Sequence, residues 1–398
     1  MIPHHRRAIL AALAASAVAR GPAHAVPSVS SKGFSAMPNT PKIFHAYVGC
    51  RTTRARNARG DGIGFYRVDA ETGAWTQEQL VRDLFNPSFL CFDRQQRFLY
   101  TVHGDGTEVS AFRIDPRSGQ LTFINRQSTE GKNPVHLAID PTNRFMVIAN
   151  HITSTLAVLP IDPEEGTIGP VRDLVTLTGK IGPHRVEQPF AKPHQVEFDC
   201  QGRFIIVPDK GLDRVFTCRL DADAGKLVAS EQGSVPARET SGPRHVVLHP
   251  RAGFAYVVNE LDSTVTAYHY DSESGALDPV QVVSSLPDTF TGNSRAAEIA
   301  ISANGHFVYA SNRGSETIAA FAVDEGTGRL TPVQWAPSGG RTPRFFALSP
   351  DDRFLFVANE DDDTIQRFRV DAITGQLTAD GLAARTGSPV CIVFRAAA

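Results

Sequence analysis

Five cysteines in 398 residues are too few, and too irregularly placed, to build a metal centre or a disulfide framework. Cys50, Cys91, Cys200, Cys218 and Cys391 show no ligand spacing, and an odd number cannot all pair within one chain. Most fall on strand-like patterns, which predicts buried free thiols, with Cys200 and Cys218 the one pair to check for a bridge. An excess of charge of either sign is missing too. Lys and Arg number 40 against 42 Asp and Glu, so the formal charge is −2 and gives no electrostatic reason to expect a nucleic-acid partner. No apolar run is long enough to span a membrane. No G-x-S-x-G elbow and no Gly-rich dinucleotide fingerprint occurs, which removes a nucleophile-elbow hydrolase and a Rossmann-type oxidoreductase. The acidic run Asp361–Asp363 lacks the spaced oxygen ligands of a calcium loop and reads as a solvated turn.

What is present is repetition. An apolar strand recurs as RFLYTVHG, RFMVIANH, RFIIVPDK, GFAYVVNE, HFVYASNR and RFLFVANE, anchored on Phe98, Phe145, Phe204, Phe254, Phe307 and Phe354. The anchors are separated by 47, 59, 50, 53 and 47 residues. A second signal, Gly then any residue then an apolar one, ends at Trp75, Leu121, Ile168, Leu227, Leu277, Leu330 and Leu377 and keeps the same time. A unit of roughly fifty residues is therefore repeated seven times. Within each unit, period-two alternation broken by Gly, Asp and Pro marks four short strands, and no sustained helical period competes. The fold class predicted is all-β, a seven-bladed β-propeller of four-stranded blades. A blade cannot bury both faces alone, so the seven units form one domain.

Residues 1–25 have a basic start, a short apolar stretch and small residues at Ala23 and Ala25, the pattern of a signal peptide, with Arg6-Arg7 giving a twin-arginine flavour. Residues 26–41 read as linker and 42–396 as the propeller, so a periplasmic or secreted monomer is expected. IFHAYVGC from Ile43 matches the apolar strands but lacks a preceding partner, while GSPVCIVF from Gly387 resembles a first strand with nothing after it. Pairing the two would close the ring with one blade built from both termini and leave no open edge.

Chemistry should lie where the repeats differ. Aligned first strands carry Phe89, His136, Gln195, His245, Glu298 and Phe345 at one position and Ser88, Val135, His194, Arg244, Ala297 and Arg344 just before it. The second strands exit through an Asn or Asp in most copies, suited to turn backbone, followed by a variable residue: His151, Lys210, Glu260, Arg313 and Glu360 among them. Antiparallel pairing puts these two sets of ends side by side on one face of the ring. Charges gathered there must be paired, hydrated or ligand-bound.

At these residues the sequence resembles a known family. GPHRVEQPFAKPHQ, DKGLDRV, GPRHVVLHP, VVNELDSTV, YASNRGSETI and PRFFALSP are similar to the motifs of the seven-bladed propeller lactonases, which include bacterial 6-phosphogluconolactonases and fungal carboxymuconate cyclases. The resemblance runs from about His45 to Phe394. It implies opening or forming a lactone ring with no metal and no organic cofactor. It also implies His194, Arg244, Glu260 and Arg313 as catalytic residues. His136, Lys210, His245, Glu298 and Arg344 are read as substrate-binding. Gln195 and Lys210 depart from the family pattern and put the identity of the lactone in question. The roles expected are His194 as general base or acid partnered by Glu260, with Arg244 and Arg313 stabilising the oxyanion and gripping an anionic group. The other readings of the same face are a non-catalytic binding module and a muconate-type cycloisomerase.

Overall fold

A computed structural model describes residues 7–9 and 43–397. The repeats form seven antiparallel sheets arranged as the blades of a propeller. Blade two, for example, runs outward from the channel as Pro87–Phe92, Phe98–His103, Glu108–Ile114 and Leu121–Ser128. Its second strand is buried along its whole length, while its outer strand alternates and is largely exposed. The difference follows from position: the second strand is covered on both faces by neighbouring blades, so every residue in it must be apolar or satisfied.

The C-terminal strand Pro389–Ala396 takes the innermost place in the blade whose other strands are Ile43–Cys50, Gly62–Asp69 and Trp75–Arg82. The register runs from Phe44 opposite Ala396 to Cys50 opposite Pro389. The ring therefore closes through its termini, as the unpaired strand patterns at the two ends predict.

The core is divided into seven apolar clusters, one at each junction between adjacent blades. The anchor Phe of one blade packs on the turn Gly of the next, which is why the two repeat signals keep a common period. Gly275, at φ 73°, sits against Phe204, and a Cβ there would lie 2.4 Å from the ring. Gly328 meets Phe254 and Gly375 meets Phe307 in the same way.

Three details differ from the sequence reading. The inner strand of blade four is reduced to Glu197–Phe198, with only an isolated bridge between Pro193 and Asp209 before it. Arg7–Ile9 adds a fifth, outermost strand to blade three, parallel to Asp173–Leu177, whose free backbone groups offer an edge. The rest of the proposed signal peptide and linker lies outside the described residues. Finally, no Cys200–Cys218 bridge forms. All five thiols are free; Cys50, Cys218 and Cys391 are buried, but Cys200 is exposed while Cys218 points into the junction of blades three and four. Among the described residues, no helix is long and apolar enough to cross a membrane.

Candidate active site

In six of the seven blades the inner strand breaks register where it enters the channel. In blades two, five and seven the break falls between Pro87 and Phe89, Pro243 and His245, and Pro343 and Phe345, leaving Ser88, Arg244 and Arg344 as the extra residues. In blade six it spans Ala297 and Glu298. Regular strands send successive side chains to opposite faces, whereas a bulge re-aims them. Consequently Ser88 and Phe89, Arg244 and His245, and Arg344 and Phe345 line one small cavity together with His194, Glu298 and Arg51. Its volume of about 20 Å³ suits a single water-sized group.

The second-strand exits are tied to these bulges by repeated backbone bonds. Lys210 N–H donates to the Lys192 carbonyl, Glu260 N–H to Gly242 and Glu360 N–H to Thr342, at 3.0, 2.8 and 3.0 Å. Glu260 thereby reaches the centre of a buried charge cluster. Its Oε1 lies 3.0 Å from Lys210 Nζ, and its Oε2 lies 3.1 Å from Arg244 Nε and 3.4 Å from Arg313. Lys210 is shared with Glu187 at 3.1 Å, and Arg295 with Glu187 at 2.8 Å and Glu260 at 3.8 Å. Four cations thus share two carboxylates. Further round the rim, Arg344 faces Glu360 at 3.7 Å and Arg51 faces Asp105 at 3.6 Å.

Burial opposes the charge on Glu260, but Lys210, Arg313 and Arg244 outweigh it and hold the carboxyl well below the usual carboxylate range. Glu260 is therefore a fixed anion at neutral pH. Arg244 is pressed the other way: burial, Arg313 and Arg344 all disfavour its charged form. The Arg244 guanidinium donates to the Ala297 carbonyl and Arg313 to Ala296; Nε of Arg244 meets Glu260 as an ion pair without hydrogen-bond alignment, and Nε of Arg313 has no hydrogen-bond acceptor among the described residues. A surplus of buried positive charge with unused N–H donors is a site for an anion.

His194 has a different partner from the one expected. Its Nδ1 is 3.2 Å from Nε2 of His245, whose Nδ1 is 2.9 and 3.1 Å from the two oxygens of Glu298. Glu260 is instead paired with Lys210, Arg244 and Arg313. Burial, reinforced by Arg244, holds both imidazoles neutral by lowering their pKa well below the ordinary value. His151 adds an edge-on ring contact to His194 at 5.2 Å and donates from Nδ1 to the Pro193 carbonyl at 3.2 Å.

The channel has a second half. A cavity of about 680 Å³ opens beyond His136, His245, Glu298, Phe89 and Phe345, lined also by Gln195, Glu197 and Arg94. His136 belongs to this side, its ring tilted against that of Phe89 at 3.9 Å and edge-on to that of His245 at 5.7 Å. The nine residues read from sequence therefore divide into a cation-rich mouth (His194, Lys210, Arg244, Glu260, Arg313, Arg344), a pair in the channel wall (His245, Glu298) and one residue behind it (His136). Glu187 and Arg295, both in the charge cluster, are not among the nine. Glu187 lies in the stretch that makes one repeat step 59 residues long, and Arg295 stands three positions before Glu298. Among the described residues, no three His, Cys, Asp or Glu side chains group as metal ligands.

Residues 45–394 match the profile of a family described as "Lactonase, 7-bladed beta-propeller". The chain is 34% identical over 306 residues to the 6-phosphogluconolactonase of Bacillus subtilis, covering 76% of this chain and 84% of that protein. It is 31% identical over 299 residues to the 6-phosphogluconolactonase of Formosa agariphila, covering 72% and 82%. Among solved structures, it is similar to the periplasmic gluconolactonase PpgL of Pseudomonas aeruginosa, with a TM-score of 0.83 at 29% identity over 89% of this chain and 100% of that one. A putative 6-phosphogluconolactonase from Bacteroides fragilis gives 0.82 at 29% identity over 90% and 100%. The chain belongs to the seven-bladed β-propeller lactonase family.

Proposed function

We propose that the protein hydrolyses the lactone of a sugar acid or a related carboxylated compound, using only its own side chains for acid–base chemistry. The observation that carries this reading is Glu260 held by Lys210, Arg244 and Arg313 at 3.0 to 3.4 Å beside a neutral His194. Lactone opening needs a proton taken from the attacking water, stabilisation of the charge growing on the carbonyl oxygen, and a proton for the ring alkoxide. A neutral imidazole serves the first and last of these. The guanidinium groups of Arg244 and Arg313 serve the second, and the ionised Glu260 keeps them fixed without competing for the proton. Lys210, Arg295 and Arg344 are left to grip a carboxylate, hydroxyl or phosphate of the substrate.

The export segment read at residues 1–25 favours a lactone met outside the cytoplasm. That fits an unphosphorylated aldonic lactone, and the likeness to a periplasmic gluconolactonase supports the same choice. A pH-stat panel of gluconolactone, 6-phosphogluconolactone and muconolactone tests the reading. Turnover that falls about a hundredfold or more in His194→Ala and Arg244→Ala supports it. Binding of these compounds without turnover points instead to a non-catalytic module.

A further inference from the structure

His194 Nδ1, His245 and Glu298 form a continuous hydrogen-bonded chain leading away from the mouth, with spacings of 3.2 and 2.9 Å. It ends at the 680 Å³ cavity on the far side of the channel wall, which Glu298 and His245 also line. An imidazole in such a chain donates at one nitrogen and accepts at the other, so the proton at one end sets the orientation of every member. If Glu298 is ionised, His245 Nδ1–H donates to it, His245 Nε2 accepts from His194 Nδ1–H, and Nε2 of His194 is bare. If Glu298 carries a proton, that proton sits on Oε2, because Oε1 already accepts the Ile299 N–H at 3.0 Å. His245 then accepts at Nδ1 and donates from Nε2, and His194 carries its hydrogen on Nε2.

We propose, resting on the lactonase reading above, that His245 and Glu298 are positioning residues for His194, relaying a proton so that Glu298 decides whether Nε2 of His194 is a base or an acid. In the forward step the water oxygen bonds to the lactone carbonyl carbon, and its proton passes to His194 Nε2. The Nδ1 proton of His194 moves to His245 Nε2, and the Nδ1 proton of His245 moves to Glu298. Both rings end neutral and one proton resides on the carboxyl. When the ring C–O bond breaks, the same path returns that proton to the departing alkoxide. The product acid then releases its own proton to solvent.

The surroundings make the far end of the chain the better resting place for the proton. His194 and His245 face Arg244, and His245 also faces Arg344, so neither imidazole holds a positive charge readily. Glu298 is buried at the edge of the 680 Å³ cavity. It faces His245 and Arg244 on blade five, Arg344 on blade seven, Glu197 on blade four and Cys391 on blade one. Desolvation dominates over Arg244 and Arg344 and pushes its pKa up to about 8. His136 packs edge-on to His245 from blade three and is itself kept neutral by burial.

Nitrogen-15 NMR of the imidazoles reads the chain directly, without any substrate. In the wild-type protein, His194 and His245 should change tautomer together, from Nε2–H to Nδ1–H, as pH rises through the titration of Glu298. In Glu298→Gln that change should vanish while the fold is kept. The rising limb of kcat for lactone hydrolysis, measured above the spontaneous rate, should share the wild-type midpoint and be lost in Glu298→Gln, with KM changed less than twofold. His245→Phe, which keeps a ring in the wall, should lose the limb too. A His194 tautomer that stays constant across the range, or the same in wild type and Glu298→Gln, overturns the relay. So does a Glu298→Gln enzyme with the wild-type pH profile. A coupled tautomer change in a protein that turns over no lactone leaves the relay standing and removes the hydrolase reading instead.

Discussion

Arg244 lies in the innermost strand of blade five and Glu260 directly follows the end of the strand paired to it, and their charged groups meet at 3.1 Å because Arg244 is the extra residue of a bulge between Pro243 and His245. Without the bulge, Arg244 and His245 would point to opposite faces. With it, one blade supplies the guanidinium, its counter-ion and the imidazole behind His194.

Replacing Glu260 with Gln leaves Lys210, Arg244 and Arg313 buried without their shared anion. The expected loss is about 3 kcal/mol or more of unfolding free energy, because an uncompensated buried charge is dearer than the pair it came from. Chemical denaturation checks this. Added phosphate or gluconate should restore part of the loss in the variant by occupying the cationic mouth. A variant within about 0.5 kcal/mol of wild type, insensitive to either anion, contradicts the hub role.

Gly275 and Gly233 share a positive φ, at 73° and 67°, but differ in space. A Cβ at Gly275 meets the Phe204 ring, whereas nothing lies within 4 Å of one at Gly233. Gly233→Ala should cost only the left-handed backbone penalty, about 1 kcal/mol, and Gly275→Ala should cost at least about 1 kcal/mol more. Equal losses in thermal unfolding would show that the inter-blade Phe–Gly contact contributes nothing beyond conformation.

Deleting Pro389–Ala396 removes the inner strand of the closing blade and exposes the whole edge of Ile43–Cys50. Truncation there is expected to abolish cooperative unfolding or drive the chain into aggregates. Calorimetry and light scattering distinguish these outcomes. A truncated chain that unfolds like the intact one rules out closure as a source of stability.

Glu298 also makes stability depend on pH with a definite sign. Burial raises its pKa from 4.5 to about 8, so the folded chain binds this proton more tightly than the unfolded chain. Its contribution is full below 4.5 and is lost as pH rises through about 8. Glu298→Gln lacks this slope, so its stability relative to wild type should improve steadily from about pH 5 to about pH 8. Glu197, raised to about 7 chiefly by burial, is also pushed up by Glu298, so its own loss of stability with rising pH is weaker in Glu298→Gln and adds to the same trend. A constant difference across that window contradicts a buried, protonated Glu298.

Much of the molecule is visible in the sequence because a propeller is periodic. The Phe anchors and turn Gly residues mark each blade twice, and the two unpaired strand patterns at the ends announce closure. The first-strand and second-strand lists place His194, Arg244, Glu260 and Arg313 on one face for the same reason. Side-chain partners are another matter. That His194 bonds to His245 and not to Glu260 depends on which way each bulge turns a side chain, and no one-dimensional pattern records that. Glu187 reaches the cluster from a connection that belongs to no repeat, so alignment of the blades passes over it. The division of the channel into a charged mouth and a larger cavity arises from Phe89, Phe345, His136 and His245 meeting across four blades, a contact that period and spacing do not encode.

The central claim is that one mouth brings His194, Arg244, Glu260 and Arg313 to bear on a lactone. The most direct measurement is pH-stat hydrolysis of gluconolactone and 6-phosphogluconolactone by the wild-type protein and by folded His194→Ala and Arg244→Ala variants. The account predicts turnover of at least one lactone by the wild type and a loss of about a hundredfold or more in kcat for each variant. Hydrolysis that proceeds at the wild-type rate in both variants would contradict it.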